Sequence, residues 1–539
     1  MHRMLNYGPV INSSSYDYII VGAGSAGCVL ANRLSANSAA KVLLIEAGPS
    51  DSRREVSIPA AWVSLFMSEV DWQYETAAEQ QLDNRTIYYP RGKTLGGSSS
   101  TNAQIYLRGA RLDFDEWAAH GNSGWSYDEV LPYFKKAEQN ERGEDQFHGA
   151  GGPLCVSNVR EPNPLSEAFL RSATSLGIQE NADFNADTLE GVGYCQFTQK
   201  DGRRCSTANA YLTPARNRPN LDIWTDTHVT RILFSGRKAT SLACLRAGTQ
   251  TQVRANREII ISGGAVNSPV LLIQSGIGPA QLLRENEIEV VQALEGVGQN
   301  LQDHPIAPVR YLTNRPVSLL KAKSVNNLAR YLLLRRGMLS GSGVDVVAHL
   351  RTIPDLPAPD LQLLLMAVLW LDQGLGKPTQ HGFTIGAAAM KPKSRGSITV
   401  RSNDPLAVPV IQPKYCSDEN GDDIRVLIEG ICRAREIVAR PEFASLAGDE
   451  LTPGKEVKSD AELTAYVRQN AQTYFHPVGT CKMGVDEMAV VDPQLRVRGL
   501  ERLRVIDASV MPSIPRANTN AATIMIAEKA ADLITSPTL

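Results

Sequence analysis

Three glycines, Gly22, Gly24 and Gly27, follow the β-branched run Tyr18-Ile-Ile-Val21, and Glu46 ends a second apolar run, Val42-Leu-Leu-Ile45. Residues in that order can hold an adenine dinucleotide. Gly22 permits a tight turn after a strand, Gly24 leaves backbone N–H groups open to a pyrophosphate at a helix N-terminus, and Gly27 lets the helix lie close on the strand. A carboxylate ending the next strand, about twenty residues on, can accept both hydroxyl protons of the adenosine ribose. A glycine triplet alone says little in a chain with 42 glycines, but strand, triplet, helix and acidic strand end in succession are specific.

A second loop, Arg91-Gly92-Lys-Thr-Leu95-Gly96-Gly97-Ser98-Ser-Ser-Thr101-Asn102, combines paired glycines with hydroxyls. Backbone and Oγ donors there can approach a flat ring and a phosphate-bearing chain, which a resident flavin needs and a transient nicotinamide does not. The apolar and aromatic flanks, Ile87-Tyr-Tyr-Pro90 and Ile105-Tyr-Leu107, predict that this loop is buried.

The elements that must position these loops are strand-like runs at Leu221-Asp-Ile-Trp224, Val229-Thr-Arg-Ile-Leu-Phe234, Arg257-Glu-Ile-Ile-Ile-Ser262 and Leu503-Arg-Val-Ile-Asp507, as a nucleotide-binding α/β sheet requires. Between them, Asp422 to Arg440 has the apolar spacing of an amphipathic helix covering a sheet. Asn326 to Arg336 reads as a surface helix ending at Gly337, its basic face too short to argue for membrane binding. Leu361 to Leu371, apolar except for Gln362, is about half as long as a membrane span and reads as a buried strand.

A chain of 539 residues is too long for a single core. With 55 Lys and Arg against 57 Asp and Glu, it gives no reason to expect a nucleic-acid partner or an anionic membrane partner. The eight cysteines lack the spacing of a metal site or a disulfide framework, so a reducing, cytoplasmic location is expected and no metal. The tail Met1 to Ser15 lacks the pattern of a secretion signal, and no transmembrane segment is expected.

Further segments carry a resemblance. Gly264-Ala-Val-Asn-Ser268-Pro269-Val-Leu-Leu-Ile-Gln-Ser275-Gly276-Ile-Gly278, Gly298-Gln-Asn-Leu-Gln-Asp303-His304-Pro305, His476-Pro-Val-Gly-Thr-Cys-Lys-Met-Gly484 and Leu503 to Ser509 join the two glycine loops in order. Together they resemble the glucose-methanol-choline (GMC) family of FAD-dependent oxidoreductases, most closely its choline-dehydrogenase-like branch. The resemblance implies an α/β flavoprotein of two lobes. Residues 16–160, 220–310 and 466–539 would form the Rossmann-like FAD lobe, and 161–219 and 311–465 a substrate lobe on an antiparallel sheet. It implies FAD contacts at Gly22, Gly24, Ser25, Ala26, Gly27, Glu46 and Ala47; at Arg91, Gly92, Leu95, Gly96, Gly97, Ser98, Asn102 and Ala103; and at Val229, Gly264, Asp507, Ala508, Asn520 and Ala521.

The resemblance further implies that His476 is the base on the substrate hydroxyl and Asn520 its partner at the same oxygen, with hydride passing to flavin N5. Hydride cannot leave a carbinol carbon easily until its oxygen gains alkoxide character, and imidazole is suited to take that proton near neutral pH. Asn520 also stands where it could cap a helix running to about Ile534. His304 resembles a position used structurally and is left outside the site. Thr101 stands where some choline oxidases carry a flavin-linked histidine, so FAD is expected to be non-covalent. The expected reaction is oxidation of a primary alcohol to an aldehyde, the electrons passing to a quinone, another carrier or dioxygen. An apolar alcohol is expected over choline, because Leu361 to Leu371 offers one aromatic, Trp370, and no acid, although Asp345 or Asp360 could point inward. The alternatives weighed are a photodecarboxylase or lyase on the same fold, for which residues 341–368 lack a cysteine and hold one arginine, Arg351, and a flavin-binding scaffold without turnover.

Overall fold

The computed structural model describes residues 15–536; the tail considered above lies outside the described residues apart from Ser15. Ser15–Val21 and Val42–Ile45 lie parallel, Tyr18 opposite Val42 and Val21 opposite Ile45. Leu221–Trp224 adds a parallel strand beyond Val42–Ile45, and Thr249–Ile261 lies parallel on the other side of Ser15–Val21. Both faces of such a sheet are covered, so its strands are continuous apolar runs, and Ile19, Ile20, Leu43, Leu44, Ile259 and Ile260 are fully buried. Thr249–Ile261 is long enough to take two partners along its other edge: Lys238–Arg246 beside its first half and Leu503–Val505 beside its last three residues. The run expected at Val229–Phe234 is a strand, Thr227–Ser235, but an antiparallel one. Only antiparallel neighbours can be joined by so short a turn as Gly236-Arg237, where Gly236 has φ +60°.

The second sheet is antiparallel, in the order Glu450–Thr452, Pro305–Leu312, Gly382–Ala389, Leu361–Met366, Val344–Leu350, Gly191–Tyr194, with Gln472–Thr473 pairing beside Pro305–Leu312. The helix Asp422–Val438 lays Val426, Leu427, Ile431, Ala434 and Ile437 on one face, against Leu361, Leu363 and Leu365. Contact is close: a Cβ on Gly430 would lie 2.6 Å from that of Ala387. The strand expected over Leu361 to Leu371 ends at Met366, after which the chain turns and brings Trp370 back toward the other face. The chain therefore supplies the first sheet from both of its ends and its middle, and the second sheet chiefly from the segment between residues 305 and 473.

The last helix, Thr519–Thr535, packs on the first, Ser25–Leu34. Its Ala521, Ala522, Ala527, Ala530 and Ala531 are buried, small enough to allow a close approach. One carboxylate ties the pair. Glu528, fully buried, accepts from Arg33 Nε at 2.8 Å and Nη2 at 2.7 Å, and from the Tyr211 hydroxyl at 2.8 Å. Removing it leaves a guanidinium and a phenol without their acceptor. Glu528→Ala is therefore expected to cost about 3 kcal/mol, the low end for a broken buried pair because Arg33 keeps some exposure. Glu528→Gln, which retains an acceptor, is expected to cost less. Denaturant titration of both variants checks this, and an alanine variant as stable as the parent would contradict it.

Candidate active site

The loops at the strand ends of the first sheet and the open face of the second enclose a cavity of about 510 Å³. At its dinucleotide end the two glycine loops meet: a Cβ on Gly97 would lie 2.7 Å from Gly24 Cα. A Cβ on Gly24 would meet nothing nearer than Ser262 O at 4.0 Å, so that glycine faces open space in the cavity, while Gly22 holds the turn at φ +98°. Gly27 does not line the cavity; a Cβ there would stand 1.9 Å from Gly22 O, the helix-on-strand approach expected of it. Glu46 accepts Ala23 N–H and Gly48 N–H, each at 2.9 Å, one on each carboxylate oxygen. Burial pushes its carboxyl up to about 7 against the pull of those donors.

Ser25, Ala26, Ala47, Arg91, Gly92, Ser98, Asn102, Ala103, Val229, Gly264 and Ala508 line the same cavity. Leu95, Gly96 and Ala521 do not: Gly96 N–H binds Ala23 O at 2.7 Å and Leu95 N–H binds Pro49 O, fastening one loop to the other, and Ala521 is buried in the last helix. Asp507 lines the cavity but spends its carboxylate within the protein, accepting Gly264 N–H at 2.8 Å, Ser268 Oγ–H at 2.5 Å and Ser509 N–H at 2.8 Å. Arg204, not foreseen, binds Ser99 O at 3.1 Å and Asn102 Oδ1 at 2.7 Å from beneath the Gly/Ser loop. Two facing glycine loops, a carboxylate with lone pairs to spare and two helix N-termini opening on one cavity fit FAD.

At the other end stands His476. Asp303 Oδ1 accepts its backbone N–H at 2.8 Å, and Phe475 before it is held at φ +69°, a left-handed conformation that costs a bulky residue about 1 kcal/mol. The imidazole meets two partners. Its Nδ1 lies 2.9 Å from His304 Nδ1, and its Nε2 lies 3.0 Å from Asn518 Nδ2. The amide donates to Nε2, which makes Nε2 the acceptor and gives the ring proton to Nδ1, shared with His304. Burial, then the neighbouring His304 and Arg91, hold the His476 pKa well below the ordinary histidine value; burial takes His304 down to about 3. Burial thus favours the neutral form of each ring.

Two expectations are corrected here. Asn520 is not the residue beside His476: its Oδ1 accepts Ser25 Oγ–H at 2.7 Å, at the dinucleotide end, and it is not the cap either. The helix starts at Thr519 with Asn518 at the cap position, where the Asn518 side chain makes no capping bond and is free to reach His476. Positions two apart on a helix lie about 200° apart, so the two amides face opposite ways. His304, left outside the site, touches the base directly, because residues 302–305 pair with the segment 472–478.

The wall facing His476 is apolar: Ile306, Val344, Leu364 and Met366 from the second sheet, with Trp62, Phe66, Trp370 and Phe475. Trp62 and Trp370 stack at 5.4 Å. Trp62, Phe66 and Phe475 were beyond the sequence reading, since nothing in their local pattern marks them as cavity-facing. The acidic side chains lining the cavity are Glu46 and Asp507, both at the dinucleotide end. Asp345 accepts from Asn163 and Ser166 and Asp360 from Thr352, so neither of the carboxylates left open points inward. Residues 341–368 bring no cysteine and no arginine to the wall, and Arg351 pairs with Glu190 instead.

The GMC oxidoreductase family profile matches residues 16–306 and 392–527. An alcohol dehydrogenase (acceptor) of Pseudomonas putida is 42% identical over 96% of this chain and 95% of its own, and the mitochondrial choline dehydrogenase of Homo sapiens is 42% identical over 96% and 89%. Among solved structures, pyridoxine 4-oxidase from Mesorbium loti superposes with a TM-score of 0.88 at 32% identity, covering 96% of this chain and 98% of that one. Formate oxidase of Aspergillus oryzae does so with a TM-score of 0.91 at 27% identity, covering 97% and 99%. The chain thus belongs to the GMC oxidoreductase family of FAD flavoproteins.

Proposed function

We propose that this enzyme oxidises an apolar primary alcohol to its aldehyde, with His476 Nε2 taking the hydroxyl proton. The observation that carries the proposal is a buried imidazole that lines the cavity beside Asn518, its Nε2 bonded to the Asn518 amide and its Nδ1 to His304, in an otherwise apolar, aromatic wall. An alcohol hydroxyl entering between Asn518 and His476 donates its proton to Nε2, and its oxygen receives the Asn518 N–H as negative charge develops there. His304 keeps the ring proton at Nδ1 and so keeps Nε2 basic. FAD, when bound, supplies the acceptor for the hydride, and a quinone, another carrier or dioxygen takes the electrons onward. The free state of all eight cysteines supports a reducing, cytoplasmic setting.

His476→Ala is expected to keep FAD and to reduce it about 100- to 10000-fold more slowly with alcohol. The parent's pH profile gives a second check. Since burial depresses the His476 pKa, its proton-accepting form survives as pH falls, so the acid limb of kcat/KM should lie below the ordinary histidine value of 6.5. Rapid reduction by the alanine variant, or an acid limb at or above 6.5, would remove His476 from the base role.

Choline is the competing substrate, because an aromatic wall can hold a quaternary ammonium. The wall lacks a carboxylate, however, and Arg91 lines the cavity. An alkyl or aryl alcohol is therefore expected to be preferred. Comparing kcat/KM for choline, hexanol and benzyl alcohol decides it: choline ahead by more than about tenfold, near 1.4 kcal/mol of transition-state binding, would overturn the apolar assignment.

A further inference from the structure

The helix Val325–Leu334 turns its apolar face outward. Val325, Leu328, Ala329 and Leu332 form one stripe with Leu333 at its edge, and all five are exposed, Val325 by 86% and Leu333 by 81%. A surface helix ordinarily lays such a stripe on the core. Here the only side chain of the helix that is buried is Tyr331, packed with Ala322 and Leu339. With Leu320 and Leu334, six of the sixteen exposed large apolar side chains among the described residues fall within 320–334.

The same stretch is cationic. Residues 311–344 contain Arg315, Lys321, Lys323, Arg330, Arg335 and Arg336 and no aspartate or glutamate. Arg330 is paired with Glu161, whereas Lys321, Lys323 and Arg336 make no ion pair among the described residues. Leucines that enter an acyl boundary while flanking lysines and arginines stay with anionic headgroups are the two halves of interfacial binding. Ten residues are too few to span a bilayer, and no helix among the described residues is long and apolar enough to do so; such a helix lies in the interface plane.

The element sits on the cavity wall. On its inner side Tyr331, with Ala322 and Leu339, forms a small cluster against which Ile58, Ala60, Leu319 and Met338 pack, and Leu319 N–H binds Ala367 O at 2.8 Å, one residue beyond Met366. Trp62, two residues after Ala60, lines the cavity and donates Nε1–H to Ser342 O at 3.0 Å. The short basic face alone argued against a membrane role, but the outward apolar stripe beside it reverses that reading: we propose that residues 319–336 dock this enzyme on an anionic lipid surface, the cavity wall lying directly behind the docked helix. The proposal does not depend on which alcohol the enzyme oxidises.

Co-sedimentation of the FAD-loaded full chain tests it, using vesicles of phosphatidylcholine alone and mixed with phosphatidylglycerol. The chain is expected to pellet with the mixed vesicles, and to bind roughly tenfold more weakly when phosphatidylglycerol is omitted or salt is raised. The variant L328Q/L332Q/L333Q is expected to lose roughly tenfold or more in vesicle affinity while keeping its FAD content and its alcohol oxidation with a soluble dye. Three results would overturn the proposal: no binding to mixed vesicles, undiminished binding by the variant, or a parent dimer that the variant converts to monomer, which would assign the stripe to a second copy of the chain.

Discussion

The packing of the last helix on the first is the constraint from which the site follows. Both helices begin at the cavity, one with Gly24 and Ser25 and the other with Asn518, Thr519 and Asn520. They are separated by almost the whole chain, yet Ser25 Oγ–H meets Asn520 Oδ1 at 2.7 Å, and a few turns further on Glu528 grips Arg33. A shift of either helix along the other would move Asn518 off His476 and the pyrophosphate loop off its partner loop together. Binding and chemistry share one alignment.

Burial then decides what His476 can do. A histidine in water spends part of its time protonated near neutral pH and cannot accept a proton in that state. Here burial in an apolar wall, above all, and the nearby Arg91 guanidinium disfavour the cation. The cost is a buried polar cluster that must be satisfied, and Asp303 meets much of it, holding the His476 backbone with one oxygen and the Tyr415 and Thr473 hydroxyls with the other. The absence of a carboxylate on the substrate side belongs to the same electrostatics, since one placed there would favour the imidazolium.

What the sequence made legible was whatever depends on local spacing. Gly22, Gly24, Gly27 and Glu46 sit as a strand–turn–helix unit demands, and the run from Leu361 is buried because a helix covers one face of its sheet while the other forms a wall of the cavity. Ordered motifs along the whole chain carried His476. What stayed hidden depends on which way a side chain turns. Asn518 and Asn520 are equivalent as letters, and a helix start two residues earlier than expected reverses their roles. Trp62 and Phe475 reach the same wall from segments four hundred residues apart in the chain. The stripe at Val325 to Leu333 shows the opposite limit: periodicity reveals that an apolar face exists, not whether protein covers it.

The most direct measurement is the anaerobic rate of flavin reduction by a saturating alcohol in Asn518→Ala and Asn520→Ala, each with its FAD dissociation followed separately. If the two amides divide the work as their hydrogen bonds indicate, Asn518→Ala slows reduction by about tenfold or more with FAD retained. Asn520→Ala then releases FAD more readily and reduces what it holds at near the parental rate. The reverse pattern, with Asn520 controlling the rate and Asn518 indifferent, would contradict the account.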